Sequence, residues 1–135
     1  GAKLPVNPKI LKGVQTDFLA TAALIIDWCF ASDNKALKKE SLQLMLQAGP
    51  EVVLNDFIAC DRFDLSGQIG QIDKPALILS GQEDKMTPPQ YARFLNQEIK
   101  KSRLQLVPQA GHSLVLEQPR TVIGLIRDFA DEVFD

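Results

Sequence analysis

Histidine occurs once in this chain, at His112, and cysteine twice, at Cys29 and Cys60. Two isolated thiols without a CxxC pair build neither a disulfide framework nor a zinc site, and they suit a reducing compartment such as the cytoplasm. Charge of one sign is also missing. Fifteen Lys and Arg face 17 Asp and Glu, a net −2, with no basic stripe; nucleic acid is thereby excluded as a main partner. No apolar run is long enough for a bilayer. The stretch Phe18–Ala31 contains Asp27 and falls short of the ~20 residues a spanning helix needs, so no membrane partner is expected. The opening Gly1-Ala2-Lys3-Leu4-Pro5-Val6 has no charged segment leading into an apolar core, so it does not read as a signal peptide. Asp56, Asp61 and Asp64 cluster in sequence, but with no histidine or further oxygen ligands at loop spacing they predict no metal site.

What is present is the composition of a folded domain, 45% hydrophobic and 24% charged over 135 residues. The texture changes near residue 66, and the chain divides into residues 1–65 and 66–135. The first part predicts helices. Pro5 and Pro8 predict an irregular opening. Residues 15–31 are apolar almost all round, as in a helix that is buried or faces an apolar cavity. Ser32-Asp33-Asn34 supplies an N-cap for a helix over 35–47, with Leu37, Leu44 and Met45 on one face. Gly49-Pro50 ends it and starts a third helix carrying Val53, Phe57 and Cys60, with both cysteines expected as small buried apolar groups.

The second part changes period. Pro75–Ser80 is a short continuous apolar run, the pattern of a parallel strand buried on both faces. Pro88-Pro89 opens a helix, with Thr87 as its expected N-cap, and Arg103–Val107 is a second strand. A last helix runs from Pro119 to about Val133, its core face formed by Val122, Leu125, Ile126 and Phe129. Strand, helix, strand, helix predicts a βαβα unit with parallel strands, so the fold class is α/β. Two such strands leave an edge and both faces to be covered. The chain reads as the back end of a larger α/β domain.

Chemistry concentrates after the two strands. Gly81-Gln82-Glu83-Asp84 follows the first and Gly111-His112 follows the second. Functional groups of open α/β sheets gather outside the carboxyl ends of the strands, so Asp84 and His112 can meet there. A carboxylate accepting from imidazole Nδ1 fixes the tautomer and stabilises the imidazolium formed in general-base catalysis. Each residue has a second reading. Asp84 can be a turn former, His112 a satisfied loop histidine, Glu83 a substitute acid one place off the motif, and Glu117 a first-turn carboxylate at a helix N-terminus.

These residues carry a resemblance. GxxD after an apolar strand and Gly-His-x4-Glu-x-Pro after the next resemble the acid turn and histidine loop of the α/β-hydrolase family. Residues 7–64 are similar to the helical cap of that family, and Asn55–Asp64 is similar to the end of such caps. The resemblance implies a cap over residues 1–65, followed in 66–135 by the last two parallel strands of an incomplete α/β-hydrolase sheet. It implies Asp84 as triad acid and His112 as general base, with Phe18, Leu24, Ile25, Trp28 and Phe57 as candidate pocket residues. No cofactor is implied. The family's G-x-S-x-G nucleophile elbow occurs nowhere in these residues, so this chain alone is expected to be inactive. The expected substrate of the full-length enzyme is a small ester-like molecule. The expected partner is the missing N-terminal half or a second copy of the chain. Two alternatives stand beside this reading: a non-catalytic fragment that associates through exposed strand edges, and part of a dehalogenase or epoxide hydrolase with an Asp nucleophile.

Overall fold

The computed structural model describes residues 3–134, so Gly1, Ala2 and Asp135, the ends of the two predicted segments, lie outside it. Four helices come first: α1 (Pro8–Thr16), α2 (Phe18–Cys29), α3 (Lys35–Ala48) and α4 (Pro50–Arg62). A 3₁₀ turn at Ile69–Gln71 leads to β1 (Ala76–Gly81), α5 (Pro89–Glu98), β2 (Ser102–Val107), the short α6 (Leu114–Glu117) and α7 (Pro119–Phe134).

Residues 3–7 are irregular, as predicted, but a helix begins at Pro8 inside the predicted irregular opening. Pro8 occupies the first turn, where its missing N–H costs nothing, and the Asn7 side chain caps the helix by accepting from Lys9 N. The single helix predicted over 15–31 is likewise broken at Asp17. The Asp17 backbone leaves the helical region, and its carboxylate caps α2 by accepting from Ala20 N at 3.2 Å. α1 and α2 then fold against each other at Gly13, where an added Cβ would lie 2.4 Å from Thr21 Oγ1.

The core of the helical part is Ile10, Val14, Ile25 and Val53, with Phe18, Trp28, Met45 and Phe57 packed around it. Two residues of the predicted faces turn outward: Leu44 and Cys60 are exposed, because α3 and α4 each meet the other helices along a narrow stripe. The ends of this part are tied together. Val6 N donates to Asp61 Oδ1 at 2.9 Å, across 55 residues of sequence.

β1 and β2 are parallel and in register from Ala76↔Ser102 to Gly81↔Val107, as the βαβ pattern predicts. α5 packs on both strands and α7 packs on β1. Arg103 of β2 pairs with Glu132 of α7 and lies 5.8 Å from the Phe129 ring centroid. The strands are half-buried rather than buried on both faces; only Ser80, Gly81 and Val107 reach full burial. α7 shows the same deficit. Val122 is buried, but Ile126 of its predicted core face and neighbouring Ile123 stand exposed, because two strands are too narrow a platform for this helix. Among the described residues the sheet has two strands and no helix is long and apolar enough to cross a membrane.

Candidate active site

The in-register strand ends Gly81 and Val107 deliver two loops side by side. The loops continue the pairing of the strands: Gln82 N donates to Val107 O at 2.9 Å and Glu83 N to Ala110 O at 3.0 Å. Gly81 makes this approach possible. A Cβ there would lie 2.2 Å from the Ala110 carbonyl oxygen and 2.3 Å from that of Gly111. The first loop turns at Gly81–Asp84, and the Asp84 carboxylate then folds back on its own chain. Its Oδ1 accepts from Met86 N and Thr87 N, both at 2.8 Å. Those bonds fix the carboxylate and leave Oδ2 for other donors.

Oδ2 meets His112 Nδ1 at 3.0 Å. It also accepts from Thr87 Oγ1 at 3.0 Å, and that hydroxyl lies 3.2 Å from His112 Nδ1. The two sides of the pair differ in solvent contact: the Asp84 side chain is 4% exposed and that of His112 is 45% exposed. A buried carboxylate with four donors is fully satisfied and immobile. With the carboxylate at Nδ1, the ring carries its proton there and keeps the lone pair on Nε2. No hydrogen bond to Nε2 forms among the described residues. The arrangement can accept a proton from a group brought to Nε2 and hold the resulting imidazolium against Asp84.

Thr87 is therefore a member of the acid–base cluster and not the predicted N-cap of α5, which starts without a side-chain cap hydrogen bond. The sequence carries a signal for this role: a Thr three residues after an Asp is the spacing of a side-chain turn. Glu83 is not a second acid here, since its carboxylate accepts from Gln109 N at 3.2 Å, beside a backbone held at φ 55°. Glu117 lies in the first turn of the short α6, as expected of a first-turn carboxylate, but its partners lie elsewhere. It is the last residue of α6 and accepts from Gly111 N at 2.7 Å, Ser32 N and Ser32 Oγ at 2.8 Å each, and Ala31 N at 3.3 Å. Burial raises its pKa, but these donors outweigh burial and hold the carboxyl below the ordinary glutamate range.

Cys29 lies at the end of α2, and its carbonyl accepts from Ser113 N at 2.8 Å. Burial, with the nearby Asp84 charge adding to it, pushes the thiol up to about 11. The five candidate pocket residues do not converge on one cavity. Phe18 borders a groove with Val14, Pro50 and Leu54, Ile25 is core, and Trp28 and Phe57 pack against that core. Leu24 stands exposed on the outer side of α2. Among the described residues no group of acidic, histidine or cysteine side chains is placed to hold a metal ion.

The two parallel strands thus carry, at their carboxyl ends, a buried carboxylate and a half-exposed histidine in hydrogen-bond contact. The alpha/beta hydrolase fold family model matches residues 20–119, spanning both helices and strands, and the chain belongs to that enzyme family. Its relatives sharpen the class. It is 31% identical to a pimeloyl-acyl-carrier-protein methyl ester esterase of Neisseria meningitidis serogroup A, over 78% of this chain and 40% of that protein. The solved structure of a thermophilic esterase superposes with a TM-score of 0.90 at 31% identity, covering 99% of this chain and 54% of that one. An enol-lactonase from Burkholderia xenovorans, at 22% identity and TM-score 0.87 over 96% of this chain and 53% of that one, shares the fold. The chain thus spans about half the length of these relatives, or less.

Proposed function

We propose that this chain supplies the acid and general base of a nucleophile–His–Asp triad in a hydrolase that cleaves a carboxylic ester. The nucleophile would come from the part of the fold that precedes these residues in its relatives. The observation that carries this reading is the 3.0 Å contact between Asp84 Oδ2 and His112 Nδ1 at the strand ends. The ester class rests on the esterase relatives. In the proposed reaction His112 Nε2 takes the proton of the nucleophile as it attacks the ester carbonyl, and returns it to the departing alkoxide. A water then repeats the sequence against the acyl intermediate, with Asp84 stabilising the imidazolium each time. Residues 3–65 act as a cap over this site. The remaining half of the sheet covers the open faces of β1 and β2, which are only half-buried here. The two free thiols suit a cytoplasmic protein.

The test is hydrolysis of a p-nitrophenyl ester by the complete protein. His112→Ala should lower kcat by about 10⁴-fold with the melting temperature preserved, and this chain alone should show only background hydrolysis. Retained turnover in His112→Ala would end the assignment of the base. Turnover by the isolated chain would mean that it contains its own nucleophile.

A further inference from the structure

The histidine loop is held from the helical side, and one side chain does most of the holding. Glu117 joins two segments that lie some 85 residues apart in sequence. Its Oε2 accepts from Gly111 N, next to the proposed base, and from Ala31 N. Its Oε1 accepts from Ser32 N and Oγ. Two further contacts fasten the same seam: Ser113 N donates to Cys29 O, and Gly111 packs so closely on residues 29–31 that an added Cβ would lie 2.8 Å from Ala31 N. His112 is thus flanked by Ser113, hydrogen-bonded to the end of α2, and by Gly111, which packs against residues 29–31.

We infer that Glu117 is a positioning residue for His112, a latch that sets the imidazole by fixing Gly111 against Ala31 and Ser32. The inference rests on the reading of His112 as general base. Asp84 fixes the ring from the Nδ1 side, but a hydrogen bond at one nitrogen leaves the loop free to translate along it. The latch removes that freedom. A shift of about 1 Å in a reacting group costs on the order of 100-fold in rate. The seam also ties the end of α2 to the loop that carries the base.

The test compares Glu117→Gln, Glu117→Ala and wild type in the complete protein, by ester kinetics and by amide exchange. Glu117→Ala should lower kcat by about 100-fold with KM little changed. Glu117→Gln, which keeps the size but replaces two acceptor positions with donors, should fall between. In both, the amides of Gly111 and Ser32 should exchange faster while the core amides of β1 stay protected. Wild-type kcat in Glu117→Ala, a loss carried by KM, or unchanged exchange at Gly111 would each overturn the latch. If Glu117→Ala does not fold, Glu117→Gln decides by the same two readouts. A wild-type protein with no esterase activity would instead overturn the ester reading, and the exchange data would still decide the latch.

Discussion

Gly81→Ala puts the close approach of the two strand-end loops to a direct test. The added methyl would meet two carbonyl oxygens at 2.2 and 2.3 Å, against the ~3.5 Å at which non-bonded heavy atoms rest. Neither oxygen belongs to a flexible side chain. Both are backbone atoms of Ala110 and Gly111, so relief requires the histidine loop to retreat by about 1 Å. Overpacking of this size costs about 1–3 kcal/mol of stability. The same retreat draws His112 away from Asp84 and from any nucleophile brought to it, at about 100-fold in kcat. The assay is urea unfolding together with initial rates of ester hydrolysis, normalised to folded protein. Gly67→Ala serves as the control, because nothing lies within 4 Å of a Cβ at that position. A Gly81→Ala enzyme with wild-type stability and wild-type kcat would refute the argument that Gly81 is required by the distance between the loops.

Thr87→Val removes a hydroxyl from Oδ2 of the buried acid while keeping its shape. Hydrogen bonds to charged groups contribute about 1.5–3 kcal/mol, so kcat/KM should drop by at least about tenfold, with Thr87→Ser restoring it; equal activity of Val and Ser variants would argue against a role for the hydroxyl. Alkylation at pH 8 should label exposed Cys60 well before Cys29, whose thiol is held up to about 11; comparable rates, followed by peptide mass analysis, would contradict the burial of Cys29 beside Asp84. The pH dependence of stability should report Glu117. Its folded pKa is depressed, so its contribution is present above the ordinary glutamate value of 4.5 and is lost as pH falls through the lower folded value. Below pH 4.5 the stability of wild type should therefore fall more steeply than that of Glu117→Gln, and parallel curves would remove the carboxylate from the account.

The parts of this structure legible in the sequence are those encoded by period and punctuation. The apolar run before Gly81, the amphipathic helices bounded by Gly49-Pro50 and Pro119, and the parallel βαβ arrangement all rest on residues near one another in the chain. The Asp84–His112 contact is legible for a further reason, since parallel strands in register deliver their C-terminal loops to the same place. Asn7 and Asp17 mislead, because capping side chains can turn an opening of prolines and polar residues into a short helix and split a long one. The partners of Glu117 are not legible, although the residue itself sits in the histidine-loop motif. Three of its four donors are backbone amides, which every residue but proline possesses, so no residue type at positions 31, 32 or 111 announces them. The exposed Ile123 and Ile126 carry no signal either, because a periodic pattern specifies an apolar face but not whether the chain itself supplies the cover.

The bond from Val6 N to Asp61 Oδ1 has a consequence for how such a protein can diversify. In the proposed cap, ends held this close together let the segment be lengthened, shortened or replaced without pulling the sheet apart. The seam at residues 29–32 adds one condition, and it is lenient: apart from the Ser32 hydroxyl, it is met by main-chain groups that most sequences offer. In the proposed reading the helices can therefore be rewritten almost residue by residue, while Asp84 and His112 keep their places.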